Sequence, residues 1–250
     1  MPGPADLLVT WEAGIAVSGT HRALLLHALA RPAADAADLL ATPVGERDAE
    51  LLVLRRSLFG EHADVQLACA ECQEDLEFDF DVRTVLAARE PESPADGQAR
   101  TRPPVEVSDG PWTVRLRLPT PDDLLAAAAV PVAQARATLL TRCVLEARRG
   151  AKLVPARDLP PAVQERVAKA AAAADPCADI VFAVPCPACR HRTRAFLDVA
   201  AFVWAELDAW ARRTMLEVHL LASSYGWSEP EVLALSPLRR RRYLELCGHA

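Results

Sequence analysis

An α+β fold, mainly helical, is what this sequence predicts, and three observations carry the prediction. Alanine runs such as Ala126 to Ala129 and Ala170 to Ala174, with aromatics at only 5%, favour helices over an all-β body. Period-two alternation of apolar and polar residues is confined to short segments. Two Cys-x-x-Cys pairs, Cys69 with Cys72 and Cys186 with Cys189, each lie between two such segments. With 250 residues and 51% hydrophobic content, the chain can bury a real core, which argues against disorder throughout.

Taken in order, residues 5–60 read as helical. Leu51, Leu52, Leu54 and Leu58 recur at three and four spacing, and Gly60 is placed to stop the helix. From Val65 the period changes to two, and Leu76, Phe78 and Phe80 alternate with Glu77, Asp79 and Asp81, as in a half-buried strand. Residues 89–104 are rich in proline and charge and read as an exposed loop. Val105 and Val107, a Ser108-Asp109-Gly110 turn, and Trp112, Val114, Leu116 and Leu118 then make a β-hairpin. Thr120-Pro121-Asp122-Asp123 looks like a helix start. Helical pattern is expected over 126–149 and 161–174, with a break at 150–160. Residues 180–184 return to strand. The remainder is helical: one helix carries Val203, Leu207, Trp210, Thr214, Val218 and Leu221 on a stripe and stops at Gly226. Ser228 with Glu231 forms a capping box, and Ser236-Pro237 opens the last helix.

A thiolate pair two residues apart can chelate one tetrahedral metal from a tight turn, and two such turns close a structural zinc site. The expected ligands are therefore Cys69, Cys72, Cys186 and Cys189, and the expected cofactor is structural Zn2+. The stretch between Cys72 and Cys186 far exceeds the spacing of a compact zinc ribbon, so the intervening elements read as an insertion between its halves. The competing redox reading wants a single Cys-x-x-Cys at the start of a helix, and neither pair precedes helical pattern. A catalytic zinc would recruit His or carboxylate, and the only His beside a knuckle, His191, alternates with arginines as strand surface. Exposed positions of the first half are acidic (Glu71, Glu74, Asp75, Glu77, Asp79) and those of the second are basic (Arg190, Arg192, Arg194). This suggests that the two halves face each other across neighbouring strands, and it argues against nucleic acid as a partner because the carboxylates would cancel the arginines.

Seven cysteines, four in close pairs, fit a reducing compartment, with Cys143, Cys177 and Cys247 as small buried residues. The formal net charge of −6 supplies no global field for nucleic acid or an anionic membrane. No leader pattern or spanning apolar run is present, so the expectation is a cytoplasmic protein without membrane contact. There is no P-loop, dinucleotide glycine pattern or serine elbow. His219 near Glu217 reads as a helix residue rather than a general base. The expectation is a non-enzyme without a small-molecule substrate. Arg239 to Arg242 is the one strongly basic run, but residues 200–250 hold six arginines against six acidic residues. Charges on four successive helical positions point to several sides, which suits solvated surface or an acidic protein better than a DNA groove.

Three stretches together look like a known family: Pro43 to Leu52 continuing to Leu58-Phe59-Gly60, the knuckles with their strands, and above all Leu216 to Leu246, which includes Ser223-Ser224-Tyr225-Gly226-Trp227. The chain resembles the baseplate hub assembly proteins of T-even-type contractile tails, in the larger versions found beside phage-like contractile injection systems of bacteria. The resemblance implies an assembly factor or structural component of a baseplate, with other baseplate or hub subunits as partners. It marks Tyr225, Trp227, Arg239, Arg240, Arg241, Arg242 and Tyr243 as a candidate partner surface. Gln73 and Arg190 depart from the glycine such knuckles often carry after the second cysteine. Two other functions stay open, a zinc-ribbon nucleic-acid-binding regulator and a thiol oxidoreductase.

The expected architecture is thus mainly helical, with a split zinc-ribbon-like β unit carrying a helical insertion. Residues 1–62 form an N-terminal helical region and 63–118 the first knuckle half with its hairpin. Residues 119–178 are the helical insertion, 179–198 the second knuckle half and 199–250 the C-terminal helical region.

Overall fold

In a computed structural model, described here for residues 2–17, 19–87 and 103–248, the N-terminal region forms α1 (Pro4–Ile15), α2 (Gly19–Ala30), α3 (Ala36–Ala41) and α4 (Val44–Phe59). Gly60, at φ 94°, ends α4 as expected, because an L side chain rarely adopts that backbone conformation. The expected loop at 89–104 lies, except for its last two residues, outside the described residues.

The chain divides into two compact units, one made of residues 1–29 and 200–250 and the other of residues 30–199. In the second unit, β1 (His62–Ala68) pairs antiparallel with β2 (Asp75–Asp81), which runs into α5 (Val82–Ala87). The hairpin β3 (Val105–Asp109) and β4 (Trp112–Leu116) forms as expected, turning at Gly110. After it come α6 (Pro121–Ala128) and α7 (Val132–Cys143). Here the structure corrects the sequence reading, since residues 144–149 are not helical. They form β5 (Val144–Arg149), which pairs with β4 and, through β6 (Lys152–Leu153), completes a four-stranded sheet in the order β3-β4-β5-β6. Leu, Glu, Ala and Arg in this segment have helical propensity, but pairing with β4 buries Ala147 opposite Val114, and tertiary packing overrides the local preference. The stretch between the knuckles is mostly helical, yet it carries this sheet. α8 (Pro161–Ala174) covers it, with Val163 and Val167 packed on Val107, Val114 and Leu116.

Two buried polar contacts pin this unit. Asp175 accepts a hydrogen bond from the Gly45 N–H at 2.8 Å, occupying the N-terminus of α4 from a distant part of the chain. A Cβ at position 45 would fall 2.2 Å from Asp175 Oδ1 and 2.8 Å from the Ala178 N, so glycine is required there by close approach. Asp123 is fully buried at the start of α6. It takes hydrogen bonds from the Thr120 N–H (3.0 Å), from both Arg117 Nη groups (2.5 and 2.8 Å) and from Arg142 Nε (2.7 Å). Thr120 thus caps as the sequence implied, through a reciprocal box with Asp123.

The second knuckle half supplies β7 (Val181–Pro185) and β8 (Arg192–Phe196). In the other unit, α9 (Val199–Tyr225), α10 (Glu229–Leu233) and α11 (Pro237–Leu246) join α1 and α2. The expected stripe is present: Val203, Leu207, Thr214 and Leu221 are buried, together with Trp204 and Ala211. Trp204 packs so closely on Gly14 that a Cβ there would lie 2.2 Å from the indole ring. The Arg22 guanidinium covers the same ring at 4.1 Å, and Trp11 Nε1 donates to Asp208 at 2.8 Å. Ser228 and Glu231 form the expected capping box, and Ser236 caps α11. No helix among the described residues is long and apolar enough to cross a membrane.

Candidate metal centre

The cysteines stand on two turns with the same backbone pattern. In the first, the Cys69 N–H donates to Glu74 O (2.8 Å) and the Gln73 N–H to Cys69 O (3.0 Å). In the second, the Cys186 N–H donates to His191 O (2.8 Å) and the Arg190 N–H to Cys186 O (3.0 Å). Each turn joins two antiparallel strands, β1 to β2 and β7 to β8. Closing it requires a left-handed residue after the second cysteine, and Gln73 (φ 62°) and Arg190 (φ 64°) are the two non-glycine residues at positive φ among those described. The departure from glycine therefore leaves the turn geometry intact at a cost of about 1 kcal/mol per site. Gln73→Gly and Arg190→Gly should each raise the chemical-denaturation midpoint, by roughly 0.5–1 kcal/mol in unfolding free energy, because both side chains are exposed and only the backbone penalty is relieved.

The two turns meet. Cys69 Sγ lies 3.7 Å from Cys189 Sγ and Cys72 Sγ 3.6 Å from Cys186 Sγ, and all four sulfurs fall within 4.8 Å of one another. Four thiolates about 2.3 Å from a common tetrahedral ion would stand about 3.8 Å apart. The four cysteines predicted as ligands could thus hold a metal ion as they stand. In each turn the first cysteine is buried and the second exposed, so the cluster sits at the rim of its small core. That core is built from Leu67, Leu76, Phe78, Phe182, Val184 and Ala195.

Backbone N–H groups of Cys72 and Glu71 point at the Cys69 sulfur and, with the Thr193 hydroxyl, lower its thiol to about 6. At Cys72 the Glu74 N–H acts in the same direction, but proton sharing with Cys189 and Cys186, together with desolvation, outweighs it and pushes that thiol up to about 12. As free thiols the four compete for protons; a cation at their centre would replace that competition with four favourable bonds. Thr193 is a residue that sequence reasoning missed. Buried on β8, its Oγ1 donates to Cys69 Sγ (3.7 Å) and accepts from the Ala70 N–H (3.2 Å), tying the second hairpin to the first knuckle. Only its place one turn after Cys189, on the inward side of an alternating strand, could have signalled it.

One expectation about this site is overturned. The acidic and basic halves do not pair across neighbouring strands: β1–β2 and β7–β8 are separate two-stranded sheets. They meet through side chains, with the Phe182 ring 5.1 Å from Phe78 and 4.9 Å from Phe80. Among the described residues no ion pair joins Arg190, Arg192 or Arg194 to a carboxylate, and all three are exposed. The inward alternation of phenylalanines sets the meeting faces and leaves the charges outside.

The candidate partner surface on the C-terminal helices is also revised. Tyr225 stacks on Trp227 at 4.7 Å, Tyr243 meets both rings edge-on, and Trp227 and Tyr243 pack on Leu221, Val232 and Leu244. Arg239, Arg241 and Arg242 are exposed, but Arg240 is not a surface residue. At 3% exposure it donates to Leu235 O (2.8 Å) and to Glu217 Oε2 (2.7 Å), so the carboxylate nearest His219 in sequence is engaged by Arg240. Arg240→Ala should cost about 3 kcal/mol in urea denaturation by stranding Glu217. Alanine at Arg239, Arg241 or Arg242 should stay within about 0.5 kcal/mol of wild type.

The other cysteines stand apart from the cluster. Cys143 and Cys177 are buried, with Cys143 Sγ 3.8 Å from Asp123, and Cys247 donates to Tyr243 O. No protein-family model, curated protein or solved structure matches this chain.

Proposed function

We propose that Cys69, Cys72, Cys186 and Cys189 hold one structural zinc ion, and that the chain is a non-enzymatic assembly factor or structural component of the baseplate of a phage-tail-like contractile injection system. The observation that carries the metal half is the meeting of two like turns that bring four sulfurs to tetrahedral spacing. Among the described residues the cluster contains no imidazole or carboxylate, and four thiolates fill every position of a tetrahedral ion. Such a site contributes folding energy, and it leaves no position for a substrate. An all-sulfur tetrahedral set suits zinc or iron, and a turn at each pair of ligands suits both.

Supporting the assembly half is the resemblance carried by residues 43–60 and 216–246. Partners would be other baseplate or hub subunits, met in the cytoplasm through exposed groups such as Tyr225, Arg239, Arg241 and Arg242. The exposed Arg190, Arg192 and Arg194, which pair with no carboxylate among the described residues, favour a second reading, a zinc-ribbon nucleic-acid-binding regulator. The deciding experiment is native mass spectrometry of the tagged chain purified from its own host, with identification of what accompanies it. One zinc per chain together with tail subunits supports the proposal. A red, iron-loaded protein replaces the metal, and folded protein without metal removes it. Nucleic acid whose retention falls steeply with salt, in place of tail subunits, favours the regulator.

A further inference from the structure

The hairpins β1–β2 and β7–β8 meet through Phe78, Phe80 and Phe182, so their opposite faces point outward on the two sides of a small two-layer body. The outer face of β1–β2 carries Asp64 opposite Asp79, Gln66 opposite Glu77 and Ala68 opposite Asp75. All are exposed, and the basic residue on that face, His62, stands at its end opposite Asp81, a carboxylate that Arg83 engages. Like charges directly opposite one another destabilise a strand pair, and in the middle of the face the Gln66 amide, donating to Glu77 Oε1 at 2.8 Å, gives partial relief. The outer face of β7–β8 is the converse. Arg192 stands opposite Pro185, Arg194 opposite Ala183 and Phe196 opposite Val181, with no acidic residue on either strand. Phe196 is 67% exposed, with the Arg194 guanidinium 5.5 Å over its ring. Among the described residues no ion pair joins Asp64, Asp75, Glu77 or Asp79 to a cation, or Arg192 or Arg194 to a carboxylate.

We infer that these two faces are complementary halves of one interface, through which a second copy of this chain docks head to tail, its β1–β2 face against the β7–β8 face of the first. The charge pattern selects this occupant. A copy brings the carboxylates of Asp64, Asp75, Glu77 and Asp79, in strand register, to Arg192 and Arg194, which alternate along β8, and relieves the Asp64–Asp79 repulsion at the same time. An interface that joins different faces is heterologous, so each copy keeps one free face of each sign. It extends to a ring or a short filament instead of stopping at a symmetric dimer. The inference concerns surfaces that exist whichever partners the chain has, and it stands apart from the baseplate reading.

The test is light-scattering mass across a salt series for the full chain and two double variants, Arg192→Glu with Arg194→Glu, and Glu77→Arg with Asp79→Arg. The altered side chains are exposed, and unchanged metal content reports that each variant keeps its fold. Expected for wild type at low salt is a mass at least twice that of the chain, rising with concentration and returning to monomer near 1 M salt, where screening acts within about 3 Å. Each variant alone should be monomeric, and an equimolar mixture of the two should regain the larger mass. Wild-type protein that stays monomeric at low salt overturns the inference. So does association that survives either charge reversal, or a monomer whose basic face instead retains a single-stranded oligonucleotide until Arg192 and Arg194 are reversed.

Discussion

Cys186→Ser should release the metal and unfold the two hairpins, with loss of cooperative unfolding over residues 30–199. An all-cysteine zinc site contributes apparent free energy on the order of 10 kcal/mol, comparable to the whole net stability of a domain. The reason lies in the size of what a metal there would hold. Each hairpin has two strands, too few to be independently stable, and their shared core is a handful of residues around Phe78, Phe182 and Val184. A metal-chelating competitor should have the same effect on wild type, more readily as pH falls, because protons compete for the thiolates. Cys247→Ser is the control, since that thiol bonds Tyr243 O in the other unit and should leave metal content unchanged. Circular dichroism together with metal content by mass decides the matter. A Cys186→Ser protein with wild-type melting would show that the knuckles hold together by packing alone.

Asp123→Ala should lower the unfolding free energy by about 3 kcal/mol at neutral pH, a thermal shift of several degrees for a chain of this size. The fully buried carboxylate is the hub on which Arg117, Arg142 and the Thr120 N–H converge; without it Arg117 keeps only the Leu118 carbonyl, Arg142 only Asp122, and the helix start loses its cap. Burial alone would raise its pKa, but the Arg117 and Arg142 guanidiniums and the Thr120 N–H outweigh burial and hold it well below the usual carboxylate range. Because the folded pKa lies below the unfolded one, near 3.9, the contribution is fully present above about pH 4 and is lost as pH falls further. The gap between wild type and variant in urea midpoint should therefore shrink on acidification below pH 4. A gap that stays constant from pH 7 to pH 3 would mean that the charge is not what stabilises this corner.

Much of this site is readable in the sequence because its determinants are local. A Cys-x-x-Cys flanked by alternating segments specifies a turn between strands, and the ligands follow from two such turns. The capping boxes at Thr120 and Ser228 and the stops at Gly60 and Gly226 are equally short-range: a side chain reaches three residues along, or a glycine accepts a φ that others resist. Residues 144–149 were misread because their helical propensity is also local, while the strand that satisfies their backbone, β4, lies more than two dozen positions back along the chain. The charge argument for the hairpins failed for a related reason. Complementary signs in sequence state that attraction is available, but which faces meet is decided by the phenylalanines.

The amino-acid sequence by itself determined the mainly helical α+β class, the four sulfurs, and the starts and stops of most helices, since each rests on periodicity or on groups a few residues apart. Only the tertiary structure decided that Thr193 braces Cys69, that Asp175 occupies the start of α4, that Arg240 turns inward to Glu217, and that two strand faces of opposite charge look outward. In the first three cases a buried polar group finds its counterpart on another element. Desolvation makes such a partner necessary, but only the packing of the whole unit chooses which one it is.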